Sequence, residues 1–326
     1  MPKVSIIIPV YNAAQYLKDT LESLINQTLK DIEIICINDG SKDNSLDIVK
    51  GFAQNDNRFV IIDKQNEGVS IARNTGIDRA SSDYIMFLDA DDKFTPNACE
   101  LAYEKICTDD ADIGIFASSI TKHLFDEIDN KNNIDYAQFQ LICWDKIYKK
   151  SFLDKNNIRF KKGLKTGEDT AFCFLTMAEK PKYVMIDKVL YLYTISPNGA
   201  SRNVHGLKTD LESFRYLFNQ ESIKNADDEF KFNIINMKSR NLLVWYKNKY
   251  KKQKKIIKKD VFNFVDFFLE QVKLDILRKQ TNKQTYFSQL YQIYIAQKSF
   301  RILDCLDGVH KNLKIGPIKI KWKVKK

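Results

Sequence analysis

Three carboxylates fall within four residues at Asp89-Ala90-Asp91-Asp92, directly after the apolar run Tyr84-Ile85-Met86-Phe87-Leu88. Crowded like charges repel one another, and a solvated acidic turn gives no reason for tolerating that repulsion. A hard divalent cation does. Mg²⁺ or Mn²⁺ accepts one or two carboxylates and takes its other ligands from water and phosphate. A second acidic pair, Glu168-Asp169, stands just before the apolar stretch Thr170 to Met177; taken alone it is an ordinary first helical turn, favourable near the positive end of the dipole. A further carboxylate lies in Asn38-Asp39-Gly40-Ser41-Lys42-Asp43, where a tight turn capping the next helix competes with a chemical role.

The elements around these residues alternate between two periods. Short β-branched runs at Val4 to Pro9, Ile32 to Ile37, Phe59 to Ile62 and Tyr84 to Leu88 predict strands covered on both faces. Between them, Tyr16 to Gln27, Ser45 to Phe52 and Ser70 to Ala80 place apolar residues at helical spacing. Strand and helix in alternation predict a mainly parallel sheet joined by right-handed crossovers. Ligands of such a sheet bind beyond the carboxyl ends of its strands. Pro9-Val10-Tyr11-Asn12, the loop at Asp39 and the cluster at Asp89 all follow strands, so the polar residues collect at one edge. From about Phe94 to Ala200 the pattern mixes short strands and helices, and beyond Lys208 it reads as helical with lysines on the outer faces. We therefore expect an α/β domain over residues 1–208 and a helical, lysine-rich region over residues 209–326.

Composition narrows the classes. The chain has 326 residues, 44% hydrophobic and 29% charged, with only 11 Gly and 6 Pro, which excludes a low-complexity linker protein. No apolar run approaches the roughly 20 residues that span a bilayer, and the start lacks the pattern of a secretory signal. The six cysteines are scattered without metal-binding spacing and read as mostly buried thiols in a reducing compartment. A cytoplasmic protein is expected. The net charge of +10 is uneven: residues 1–208 carry 26 basic and 30 acidic side chains, residues 209–326 carry 26 and 12. Lys251-Lys252-Gln253-Lys254-Lys255 and the terminal Lys319 to Lys326, interleaved with Ile, Trp and Val, suit peripheral docking on the anionic inner face of the cell membrane. No helix-turn-helix, zinc-finger or RNA-recognition pattern is present, so nucleic acid is not expected as a partner. A non-catalytic membrane- or nucleic-acid-binding protein built on this basic region is the alternative, but it leaves Asp39, Asp91 and Asp169 without a joint purpose.

Val4 to Asp92 resembles the nucleotide-sugar-binding half of a GT-A glycosyltransferase, in particular glycosyltransferase family 2. Four pieces carry the resemblance in the family's order: Ile8-Pro9-Val10-Tyr11-Asn12, the Asn38 to Asp43 loop, Asn66-Glu67-Gly68-Val69-Ser70-Ile71-Ala72-Arg73-Asn74, and Phe87 to Asp92. Trp144-Asp145-Lys146-Ile147-Tyr148 and Gly167-Glu168-Asp169-Thr170 extend it to about residue 203. The resemblance implies a Rossmann-like GT-A fold and inverting, metal-dependent transfer of a sugar from a UDP-sugar to a glycan hydroxyl. Bacterial surface polysaccharide or lipooligosaccharide synthesis, with a lipid-linked acceptor among the possibilities, would suit the family.

Residue by residue, the resemblance assigns Asp39 to uracil recognition, with Pro9, Tyr11 and Asn12 shaping the base and ribose pocket. Arg73 falls in the nucleotide pocket, although a salt bridge from a helix face also accounts for it. Asp91 is the expected direct ligand of Mn²⁺ or Mg²⁺, and Asp89 acts through the ribose or a metal-bound water. Asp169 matches the general base and Glu168 the neighbour that orients the acceptor. Many relatives carry Arg where this chain has Thr194; Arg202 is a replacement charge near the diphosphate, with His205 behind it as a metal ligand or a surface residue. Trp144 is open to two readings, a stacking platform for the acceptor or a core residue.

Overall fold

The computed structural model describes residues 1–121, 141–164, 166–195, 207–236, 267, 314–315 and 318–319. The four apolar runs form strands β1 (Val4–Val10), β2 (Ile32–Asp39), β3 (Phe59–Lys64) and β4 (Tyr84–Phe87). Between them lie helices α1 (Ala14–Ile25), α2 (Ser45–Ala53) and α3 (Val69–Arg79). All eight residues of β2 are buried, as a strand with helices on both faces requires. α3 packs closely on this sheet because position 76 is glycine: a Cβ there would lie 2.3 Å from the Ile7 side chain. That approach brings the preceding turn of α3, with Arg73, down toward the strand ends.

The middle of the chain adds β5 (Lys93–Phe94), α4 (Ala98–Thr108), β6 (Ile113–Ser118), β7 (Lys146–Lys149), α5 (Lys150–Lys155), α6 (Glu168–Ala178) and β8 (Tyr183–Leu192). All eight strands join one sheet in the order β3-β2-β1-β4-β7-β6-β8-β5. β1 pairs in parallel with both β2 and β4, so the strand order reverses beside β1, the topological switch point at which open α/β sheets bind ligands. The sheet is α/β and mainly parallel, as expected.

Two strands run the other way. β7 pairs antiparallel to both β4 and β6, with Met86 opposite Ile147 and Ile115 opposite Lys146. Its reversed direction carries the residues just before it, Cys143 and Trp144, to the same edge as the end of β4. β5 closes the far side antiparallel to β8.

Phe87 of β4, Tyr148 of β7, Phe160 and Phe172 of α6 form one aromatic cluster. Phe160 and Phe172 stack with centroids 4.0 Å apart, while Phe87 meets Phe160, Phe172 and Tyr148 edge-on at 5.4–6.1 Å. Residues three and four apart share a helix face. Burying Phe172 therefore fixes Asp169 and Glu168, one turn earlier, over the end of β4.

The chain divides into two compact units, Met1–Ala226 and Asp227–Lys326. The first ends with helices α7 (Leu207–Phe218) and α8 (Glu221–Asn225). In the second, residues 228–236 are helical, and β9 (Lys314–Ile315) pairs antiparallel with β10 (Ile318–Lys319), a short hairpin that the helical periodicity did not suggest. The lysine run 251–255 and residues 320–326 lie outside the described residues. Among the described residues, no helix is long and apolar enough to cross a membrane.

Candidate active site

Arg73 is the hub of the site. It is 3% exposed, and its guanidinium lies over the Phe160 ring at 5.2 Å. Nη1 donates to Oδ1 of Asp169 at 2.6 Å and Nη2 to Oδ1 of Asp89 at 3.0 Å. Glu168 Oε1 stands 3.6 Å from Nη1. Three carboxylates that the sequence separates by up to 80 residues thus share one cation. Burial works against the charge on Arg73, but Asp169, Asp89 and Glu168 outweigh it and hold its pKa well above the ordinary value. Of the two accounts of Arg73 given by the sequence, an ion pair from a helix face describes its contacts, and those contacts lie inside the candidate site.

The charged form of Asp169, unlike that of Arg73, is disfavoured. Burial pushes its carboxyl up to about 6; Arg73 pulls down, while Glu168 and Asp89 push up. A hydrogen bond from the Cys143 thiol, Sγ to Oδ1 at 3.4 Å, favours the charged form. An ionised but weakly acidic carboxylate at the C-terminal edge of the sheet is chemically suited to accept a proton near neutral pH.

The acidic cluster after β4 splits three ways. Asp89 faces Arg73. Asp92 turns inward, 1% exposed, and accepts hydrogen bonds from the Tyr191 hydroxyl at 2.5 Å and the Thr194 amide at 2.7 Å. Burial raises its carboxyl to about 7 despite both bonds. Asp91 has no pairing side chain among the described residues, and burial followed by the charge of Asp89 raises its pKa. No cluster of three or more His, Cys, Asp or Glu side chains able to hold a metal occurs among the described residues.

Asp39 lies at the end of β2 and is 2% exposed. Its Oδ1 accepts from Lys64 Nζ at 2.5 Å and from the Glu67 amide at 3.0 Å, and its Oδ2 from the Gly68 amide at 2.8 Å. These bonds tie the loop before α3 to β2. Gly68 caps α3 with φ 94° and ψ 161°, a backbone conformation essentially reserved for glycine. Asp39 therefore sets where α3, and with it Arg73, begins. Asn12, at φ 49°, accepts from the Lys42 amide at 2.7 Å while its own amide donates to Ser41 Oγ at 3.1 Å, locking the loops after β1 and β2 together. Pro9 lies within β1 and Tyr11 is 52% exposed beside these loops.

Trp144 is 5% exposed and stacks on Tyr191 at 4.1 Å and Tyr193 at 6.0 Å. Arg202 and His205 lie outside the described residues. Arg73, Asp89, Glu168 and Asp169 are brought together, while Asp39 and Asn12 occupy the neighbouring loops beyond β2 and β1. Three contributors escaped sequence reasoning: Cys143, Phe160 and Lys64. None has a spacing signal, because each meets its partner through strand order or loop packing.

A family model described as glycosyl transferase family 2 matches residues 5–178. The glycosyltransferase GlyA of Streptococcus pneumoniae is 35% identical over 222 residues, covering 61% of this chain and 32% of GlyA. The poly(ribitol-phosphate) β-N-acetylglucosaminyltransferase TarP of Staphylococcus aureus is 34% identical over 218 residues, covering 63% of this chain and 66% of TarP. The crystal structure of S. aureus TarS 1–349 in complex with UDP-GlcNAc superposes with a TM-score of 0.69 at 22% identity, over 83% of this chain and 82% of that one. The chain thus spans from a third to just under two thirds of the length of these two curated relatives.

Proposed function

This chain belongs to glycosyl transferase family 2, and on that premise we propose that it transfers a sugar from a UDP-sugar to a hydroxyl of a glycan acceptor, with inversion. The observation that carries the proposal is the convergence of Asp89, Glu168 and Asp169 on Arg73 at the C-terminal edge of the sheet. The nucleotide occupies the loops after β1 and β2, where Tyr11 is exposed and Asp39 and Asn12 fix the backbone. Its diphosphate extends toward Asp89 and Asp91, which sets the anomeric carbon before Asp169.

The chemistry is a single displacement. Asp169 accepts the proton of the acceptor hydroxyl, the acceptor oxygen bonds to the anomeric carbon, and the bond from that carbon to the β-phosphate oxygen breaks to release UDP. A hydroxyl is a poor nucleophile at neutral pH, and a positioned base contributes about 10²–10⁴-fold. Glu168, one residue earlier at the same helix start, orients the acceptor. Asp91, raised in pKa and without a cationic partner among the described residues, and Asp89 form a donor set that fits a divalent cation. They would hold Mn²⁺ or Mg²⁺, which supplies Lewis-acid stabilisation of the departing diphosphate. The names of the relatives support surface polymer synthesis as the setting. The charge of residues 209–326 supports docking of the chain to an anionic membrane from the cytoplasmic side.

The test is a panel of nucleotide sugars offered with Mn²⁺ and read as UDP or GDP release. We expect one UDP-sugar to turn over, and release to fall at least about 10²-fold in Asp91→Ala. Turnover of no member, or full activity in that variant, would overturn the proposal.

A further inference from the structure

The two oxygens of Asp169 are not equivalent. Oδ1 accepts from two donors, Arg73 Nη1 at 2.6 Å and Cys143 Sγ at 3.4 Å. Oδ2 takes no hydrogen bond from any described residue, and it is not one of the buried atoms left without a partner. The side chain keeps 22% of its surface exposed, and Oδ2 is the oxygen that neither Arg73 nor Cys143 holds. From this geometry we infer that Cys143, together with Arg73, is a positioning residue for Asp169: the thiol and the guanidinium hold Oδ1 and so present Oδ2 to the acceptor hydroxyl. The inference rests on Asp169 being the base of the proposed transfer.

The backbone around Cys143 is itself held at two carbonyls. Cys143 is fully buried, and its carbonyl accepts a hydrogen bond from the Tyr148 hydroxyl at 3.2 Å. The preceding carbonyl, that of Ile142, accepts from Lys146 Nζ at 2.8 Å, and Lys146 pairs with Asp145 in an ion pair shielded from solvent on both sides. The reversed strand β7 and this inward-turned pair therefore aim the thiol at α6. Burial pushes the Cys143 thiol well above its ordinary pKa despite the nearby Arg73. The group is thus a protonated donor at neutral pH rather than a thiolate, which the neighbouring carboxylate would repel. Among the described residues, Arg73 of α3, Asp89 after β4, Glu168 and Cys173 of α6, Cys143 before β7 and Tyr148 of β7 are charged and titratable groups that bear on Asp169.

The full-length chain is assayed as wild type and as Cys143→Ala, Cys143→Val, Cys143→Ser and Asp169→Asn, with kcat and donor KM measured across pH 5–8 and melting followed in parallel. We expect Cys143→Ala and Cys143→Val, which lack a donor, to lose about tenfold in kcat with donor KM unchanged. Their acidic limb should move to higher pH, because the charged form of Asp169 loses a hydrogen bond. Cys143→Ser keeps an O–H donor and should stay within about threefold of wild type. The inference is overturned if both donor-less variants keep the wild-type kcat and pH limb while Asp169→Asn is inactive, even when their melting temperature falls. It is equally overturned if Cys143→Ser and Cys143→Ala are impaired alike. Should Asp169→Asn keep wild-type transfer, the assignment of the base itself fails, and that result is read separately.

Discussion

Asp169→Asn is expected to lower kcat by about 10²–10⁴-fold while UDP affinity stays within about threefold of wild type. The substitution keeps the size of the side chain and leaves an oxygen for Arg73, so the helix start and the aromatic packing under it are retained. Only the capacity to take a proton is lost. Isothermal titration with UDP, alongside single-turnover transfer, separates the two effects; an equal loss of both would make Asp169 a structural residue. The same carboxylate sets a pH dependence whose sign follows from its raised pKa of about 6. The base must be ionised, so kcat/KM rises with pH through about 6 and levels off above it. The limb should be absent from the residual activity of Asp169→Asn.

Arg73→Met is expected to damage both activity and stability. It leaves Asp89, Glu168 and Asp169 facing one another without the guanidinium that pairs with all three. Breaking a fully buried pair costs about 3–5 kcal/mol, but these carboxylates keep 20–29% of their side-chain surface exposed. Solvent screening reduces the expected loss to about 1–3 kcal/mol. Without Arg73, which pulls it down, the folded-state pKa of Asp169 rises further above its unfolded value of about 4. A raised carboxylate stabilises the fold below the unfolded pKa and forfeits that contribution as pH climbs through the folded value. The deficit of the variant against wild type should therefore be small near pH 4 and grow toward pH 7. Urea unfolding at several pH values reads it directly, and a deficit independent of pH would count against the charge hub. Transfer should fall at least about 10²-fold, since both Asp169 and Asp89 lose their anchor.

Much of the fold was legible because its signals are local. The β-branched runs at Val4, Ile32, Phe59 and Tyr84 and the helical spacing between them carry their periods within a few residues, and the structure keeps every one of those seven elements. The acidic cluster after β4 was equally visible, since crowded charge is improbable without a purpose. What could not be read is pairing that depends on strand order. Arg73 meets Asp169 across 96 residues, and only the packing of α3 beside Gly76 and of α6 through Phe172 brings them together. Cys143 reaches Asp169 because β7 runs antiparallel to β4, and nothing in the residues 141–149 announces that direction. Asp39 shows a different limit. Its sequence context suits both a turn and a site, whereas its carboxylate binds the 64–68 loop and thereby places the helix that carries Arg73. Within the Asp89 to Asp92 run, sequence could not assign which carboxylate turns inward; the Tyr191 hydroxyl and the Thr194 amide claim Asp92.

A crystal structure of the full chain soaked with UDP and Mn²⁺ addresses the proposed site most directly. We expect the uridine in the loops beyond β1 and β2, the diphosphate and the ion against Asp91 and Asp89, and the open side of the β-phosphate facing Oδ2 of Asp169. UDP bound on any other surface, with Arg73 and its three carboxylates untouched, would contradict the account.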